Sequence, residues 1–329
     1  MEPTVILRDP SPTGENGLLA ELPPEPPRPA PTVRAGDEAV QHRPLLVDLG
    51  GTASARRGTN PLLVCIPSAG GQGVSYAPLS RNLDAHDVPV RVFGVELPGR
   101  TRADPRPPMP LDQMVRQLAD EVAERAADAP VLVLGHCAGA PAALHLTRAL
   151  EARSVPVDRI IILANLLRST DPADHTADDV AHLSQADVLD RLVARTGFAE
   201  IARLGEQARA DLVEAFRYDT AQATHALRRA LSQVAAHRVA APATVVLARD
   251  DILLDDYPAA VGNWDLFVPQ RRLVVADHGG HHLHLTRTGL LAEVIERDLA
   301  ALRPAPDGWP AFSPAGPRSG SLPVRRRWL

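Results

Sequence analysis

From residue 61 onward, short apolar runs alternate with segments in which apolar residues recur every three or four positions. Leu62–Ile66, Val90–Val95, Val131–Leu134, Ile160–Leu163, Thr244–Leu247 and Leu273–Val275 are the predicted strands. Between them, Leu111, Val115, Leu118 and Val122 share one helical face, with Arg, Asp and Glu opposite, and Ala138 to Leu150 carries a similar pattern. Short strands alternating with amphipathic helices predict an α/β domain with a mostly parallel sheet flanked by helices. Upstream, RPLLVDL at 43–49 reads as an edge strand, with GGTASARRGTN as the turn after it.

The rhythm breaks once. About 80 residues separate the strand ending at Leu163 from the one starting at Thr244, and they carry helical patterns (ADVLDRLVARTGF, ARADLVEAFRYDTAQATHAL) without a convincing strand. A helical insertion of this kind, at about 167–240, is expected to act as a lid. Proline marks the ends of the domain. Residues 1–40 are dense in Pro, Glu and Gly and are expected to form a disordered leader or linker. The domain is placed at 41–302, and residues 303–329 are expected to be an irregular Pro/Gly-rich tail with a basic end at Arg325, Arg326 and Arg327.

Composition removes several function classes. Across 329 residues, 35 basic side chains face 40 acidic ones, a balance with no broad attraction for nucleic acid. No apolar run approaches the roughly 18 residues needed to cross a bilayer, and the start MEPTVILRDPSPTGE lacks the pattern of a signal peptide. Two cysteines, Cys65 and Cys137, cannot build a disulfide framework, so a cytoplasmic protein is expected. Cys65, inside LLVCIP, is expected to be core filler.

Cys137 is different. It sits in Gly135-His136-Cys137-Ala138-Gly139, between the strand VLVL and an Ala- and Leu-rich helix. Flanking glycines in a strand–turn–helix of this form let a sharp turn push the central side chain outward. The sulfur would then lie at a helix N-terminus, where free N–H groups and the helix dipole favour thiolate. A base is expected downstream, and histidines cluster in Asp277-His278-Gly279-Gly280-His281-His282-Leu283-His284, between the last strand and the final helix at about 289–302. His282 is the expected base, with His281 as the competitor. The cluster also invites a zinc reading, but no His-Glu-x-x-His pattern accompanies it, and neither a metal nor a bound cofactor is expected. Backbone N–H groups of Ala138 and of Ala69, in the turn Ser68-Ala69-Gly70-Gly71, are the expected oxyanion donors.

CIPSAGGQGVSYAPLSRNL, GVELPGR at 94–100, GHCAG at 135–139 and GGHHLHL at 279–285, in this order, resemble the thioesterases of polyketide synthases and nonribosomal peptide synthetases, over about residues 60–302. The resemblance implies an α/β-hydrolase fold with a helical lid. It also implies acyl or peptidyl substrates presented as thioesters on the phosphopantetheine arm of a carrier protein, the expected partner. Cys137 stands where the family usually has serine, and Gly280-His281-His282 supplies the histidine pattern. The orienting residue departs from the pattern: Asn165 occupies one of the family's two aspartate positions, and TVVLARDD offers Asp251, beside Asp250, at the other. Since an amide oxygen can orient the base of a cysteine nucleophile, Asn165 is slightly preferred, with Asp251 open. The expected function is chain release by hydrolysis or cyclisation; the alternatives are transfer of the acyl or aminoacyl group between carrier proteins through the same Cys137, and an inactive scaffold that binds a carrier protein.

Overall fold

Seven strands form one sheet: β1 (Leu46–Asp48), β2 (Leu62–Ile66), β3 (Arg91–Val95), β4 (Val131–His136), β5 (Arg159–Leu163), β6 (Ala243–Ala248) and β7 (Arg271–Ala276). Their spatial order is β1-β3-β2-β4-β5-β6-β7. Every pair is parallel except β1 with β3, which run antiparallel in the register Leu46 to Val95. The expected α/β-hydrolase type of sheet is therefore present, with RPLLVDL at its edge. The computed structural model describes residues 43–50, 59–100, 106–175, 178–196, 201, 203–253 and 257–302. The leader expected at 1–40, the tail at 303–329 and most of the turn after β1 lie outside them.

Successive side chains of a strand point to opposite faces, so a run that is apolar throughout must be covered on both. In β2, Leu62, Val64 and Ile66 join one core while Leu63 and Cys65 join the other; in β4, Val131 and Val133 oppose Leu132 and Leu134. The first core is closed by α2 (Leu111–Ala126) and α3 (Gly139–Glu151), and the second by α1 (Ala77–Ala85) and α6 (Thr288–Leu302). Cys65 is fully buried, and burial pushes its thiol far above the ordinary value, which makes it an inert filler. Helix α2 buries Val115, Leu118 and Val122 as the spacing predicts, with Met114 and Ala119 added to the stripe.

The insertion between β5 and β6 is helical: α4 (Gln185–Thr196) and α5 (Glu206–Ser232), with short turns of helix around them. Val180, Val188, Leu192 and Val213 make a small core of their own, separate from the two that sandwich the sheet. Helix α5 is tied down along its second half. Its Gln222 side-chain oxygen accepts the Leu111 N–H at 3.1 Å, Arg229 pairs with Asp112 at 2.9 Å, and the His145 ring bonds the Ala226 carbonyl at 3.2 Å.

One polar cluster fastens α6 to the far side of the sheet. Asp298 is 2% exposed, accepts from Arg272 at 2.8 Å and from the Thr244 hydroxyl at 3.0 Å, and lies 3.5 Å from Arg159. Three strands, β5, β6 and β7, thus converge on one carboxylate. Removing one member of a buried ion pair strands the others without a counter-charge. Asp298→Ala is expected to lower unfolding stability by about 3 kcal/mol, at the low end for buried pairs because both arginines are partly hydrated. Urea denaturation checks this as a lower midpoint at unchanged slope.

Candidate active site

The carboxyl ends of β2, β4, β6 and β7 open into one cavity of about 310 Å³. Cys137 stands at its floor, in the turn between β4 and α3, with a backbone φ of 50°. Non-glycine residues avoid this left-handed region, so the turn must be held by its surroundings. The Cys137 N–H donates to the Leu163 carbonyl at 2.9 Å, the Ala140 N–H donates to the Cys137 carbonyl at 3.0 Å, and the Asn165 side-chain N–H donates to that same carbonyl at 2.8 Å. The two flanking glycines allow the close packing. A Cβ on Gly135 would meet the Gly139 carbonyl oxygen at 2.5 Å, and one on Gly139 would meet the Ile66 and Pro67 carbonyl oxygens at 2.7 Å. The glycines thus let α3 start directly against the end of β2.

His281 and Asp251 complete a chain of contacts to the sulfur. His281 Nδ1 lies 2.8 Å from an Asp251 carboxylate oxygen, the pair being 5% and 0% exposed at the side chain. With Nδ1 engaged by Asp251, the nitrogen left to face the sulfur is Nε2, and the two groups lie close enough for each to shift the other's protonation. The other Asp251 oxygen accepts the Leu253 N–H at 3.0 Å. Burial pushes the Cys137 thiol up, but the His281 charge, the hydrogen bond from His281 and the Ala138 N–H outweigh it, and the thiol ends below its ordinary value. Burial pulls His281 down, yet the Cys137 charge and the Asp251 hydrogen bond raise it well above an ordinary histidine. Both directions favour a resting thiolate–imidazolium pair.

Two contacts differ from the sequence expectation. The ring bonded to a carboxylate is His281, one residue before His282. His282 lines the cavity wall and packs edge-on against His281, ring centres 5.4 Å apart. The partner of that ring is Asp251, while the Asn165 amide is directed to the elbow's own backbone. A one-residue step around a Gly-Gly turn reverses which ring faces the sulfur, and local spacing does not record the step. Gly279 and Gly280, with φ of 141° and 60°, hold that turn, and their N–H groups donate to Asp250 at 3.1 and 2.8 Å. Asp250 thus holds the histidine loop, and its neighbour Asp251 holds the ring. Ala69 and Ala138, the expected oxyanion donors, both border the cavity beside Cys137.

A model of the thioesterase domain family matches residues 61–299. The chain belongs to this family. Among solved structures, the thioesterase is similar to the type II thioesterase BorB from the borrelidin biosynthetic cluster, with a TM-score of 0.60 and 22% identity over 78% of this chain and 97% of that one. It is also similar to the RedJ thioesterase of the prodiginine pathway in Streptomyces coelicolor (TM-score 0.60, 18% identity, 78% and 96% covered). A third likeness is to YbtT, the type II thioesterase of the yersiniabactin pathway (0.57, 20%, 79% and 100%). No curated protein matches the chain. Among the described residues no helix is long and apolar enough to cross a membrane.

The thioesterase covers its cavity with α5, whose Phe216, Thr220, Ala223, Thr224 and Leu227 form the roof. One feature of this roof carried no signal in the sequence. Asp219, on α5, accepts the Gly70 N–H at 2.9 Å and pairs with Arg100, from GVELPGR, whose guanidinium also lies over the Tyr218 ring. Burial pushes the Asp219 carboxyl up to about 6, against the opposing pull of Arg100 and of the Gly70 N–H. The roof helix is thereby bonded to the turn that carries Ala69. Asp219 lies inside a regular helical pattern and 149 positions from Gly70, so only the folded chain brings them together. Asp219→Ala is expected to cost about 3 kcal/mol of stability, the usual loss on breaking a buried pair, and to lower turnover as the Ala69 turn loosens. Asp219→Asn, which can still accept from Gly70, is expected to lose less of both; thermal melts and steady-state rates on one set of proteins check the order.

Proposed function

We propose that this thioesterase acts on acyl or peptidyl thioesters carried on the phosphopantetheine arm of a carrier protein, through a covalent intermediate on Cys137. The observation that carries this is the Cys137 elbow facing the His281–Asp251 pair at the floor of a covered cavity. The thiolate attacks the thioester carbonyl, and the resulting oxyanion is met by the Ala69 and Ala138 N–H groups. The tetrahedral adduct then expels the carrier thiolate, which takes the proton held on His281. In the second half, neutral His281 accepts a proton from water or from an internal nucleophile of the chain as it attacks the acyl-enzyme. The product leaves as a free acid or a ring, and Cys137 is regenerated. Asp251 keeps the imidazole in the orientation needed in both halves. We assign Asn165 to the backbone of the elbow and His282 to the cavity wall.

The lining favours a small, mostly apolar acyl group. Pro141, Leu192, Phe216, Leu227 and Leu253 provide the apolar surface, and a volume of about 310 Å³ lies at the lower end for small-molecule pockets. A second reading, transfer of the acyl or aminoacyl group to another carrier protein, is favoured by the sulfur itself. An acyl group on Cys137 remains a thioester, so its passage to a second phosphopantetheine thiol exchanges one thioester for another at little free-energy cost.

Intact-protein mass spectrometry with an acyl-loaded carrier protein is expected to show the acyl mass on Cys137 and none on Cys137→Ala. If Cys137→Ala turned over at the normal rate, the nucleophile would lie elsewhere. An empty second carrier in the same mixture separates release from transfer: free acid or lactone signals release, and acyl mass on the second carrier signals transfer. Asp251→Ala is expected to lower turnover at least about 10²-fold, in the range of general acid–base contributions, and Asn165→Ala less than about tenfold. The reverse ranking in single-turnover kinetics would show that Asn165 orients the base.

A further inference from the structure

We propose that His136, His282 and His284 form a binding site for a transition-metal dication of the Zn²⁺ class, beside the Cys137–His281 pair and separate from it. One ligand atom from each of the three rings lies within 4.8 Å of the others. The ring centres form a near-regular triangle, 4.8 Å between His136 and His284, 5.1 Å between His136 and His282 and 5.6 Å between His282 and His284. No ring in this triangle is the one bonded to Asp251, so a metal held here leaves the His281–Asp251 pair intact.

Hydrogen bonding favours the same assignment. His136 is 0% exposed, and its Nε2–H donates to the His281 carbonyl at 2.8 Å. That bond leaves the lone pair on Nδ1, which has no hydrogen-bond partner among the described residues. A histidine whose second ring N–H is fixed on a backbone carbonyl is the usual arrangement of a metal ligand, since the bond selects the tautomer and orients the ring. His284, 3% exposed, also has an Nδ1 with no hydrogen-bond partner. A buried polar atom left without a partner costs roughly 1–3 kcal/mol, so two in one cluster call for an occupant. The phenol of Tyr76, whose ring lies 4.6 Å from that of His284, donates to the Ile66 carbonyl and makes no hydrogen bond to this Nδ1.

The donor set identifies the ligand class. Three imidazoles without a carboxylate suit zinc, copper or nickel and not magnesium or calcium. Three protein nitrogens leave one position of a tetrahedron open, and His282, which borders the acyl cavity, places the site within reach of water or a ligand from that side. Metal–nitrogen bonds of about 2.0–2.1 Å require nitrogens roughly 3.4 Å apart, so the rings close inward by at most about 1.4 Å, a motion that side-chain rotation can supply. Because His136 also holds the His281 carbonyl, an occupied site braces the loop that carries the base.

The full-length protein, stripped with chelator and titrated with Co²⁺ as the spectroscopic probe, is expected to bind one equivalent with the visible bands of a four-coordinate nitrogen site. Zn²⁺ should displace the cobalt and raise the melting temperature. His284→Leu and His136→Asn are expected to abolish the bands and the melting shift, and Cys137→Ala to keep both. Circular dichroism checks that each variant is folded. X-ray absorption at the zinc edge of the unaltered protein needs no variant: a shell of imidazole nitrogens supports the site. Sulfur in that shell, loss of binding in Cys137→Ala, bands that survive His284→Leu, or no saturable binding at all would each overturn it.

Discussion

The turn at Cys137 holds a left-handed backbone conformation between a central strand and the helix that follows, and the rest of the site is arranged around it. Such a conformation is unfavourable for a residue with a side chain, so it persists only where neighbours hold it in place. Here the neighbours are the end of β5, which accepts the Cys137 N–H, the first turn of α3, and Asn165, whose amide closes on the Cys137 carbonyl. Two glycines remove the Cβ atoms that would strike carbonyl oxygens at the end of β2 and the start of α3. The same closeness brings Ser68 and Ala69 to the cavity beside Cys137, so a backbone constraint sets how near that turn lies to the sulfur.

Burial then decides the electrostatics. A thiol half-enclosed in protein would ordinarily hold its proton, but His281 is buried beside it and is itself held by a carboxylate with no solvent exposure. Three groups that would each be costly alone become compatible as an alternating series, carboxylate, imidazolium, thiolate. The remaining histidines follow the opposite course. Burial and the neighbouring rings hold His136 well below an ordinary histidine, His282 at about 4 and His284 at about 3, so these rings are neutral at pH 7 while His281 is charged. Four histidines in one small volume thus divide into one raised by Cys137 and Asp251 and three lowered by burial and by one another.

The helical insertion links this floor to a roof. Helix α5 is bonded to α2 and α3 along its second half, and Asp219 at its midpoint bridges Gly70 and Arg100. The contact is polar and buried, whereas the roof residues that face the cavity are apolar or small. The cavity and the Ser68–Gly71 turn therefore share a wall, and a change in the position of α5 is felt at Ala69. Membership of the thioesterase family agrees with this architecture.

Much of this was legible in the chain itself. Apolar runs that allow no polar face required a sheet covered on both sides, Gly135 and Gly139 marked the elbow, and the interval before β6 marked the helical insertion, because each depends on local periodicity or on the steric demand of a single residue. The pairing of side chains did not follow from that information. The sequence pattern favours His282 over His281 and Asn165 over Asp251, whereas the folded chain pairs His281 with Asp251, and Arg100 and Asp219 lie more than a hundred residues apart. Which ring turns toward Asp251, and which histidines gather behind it, depends on how the Gly279–Gly280 turn crosses the end of β6, a relation between distant segments that only the tertiary structure decided.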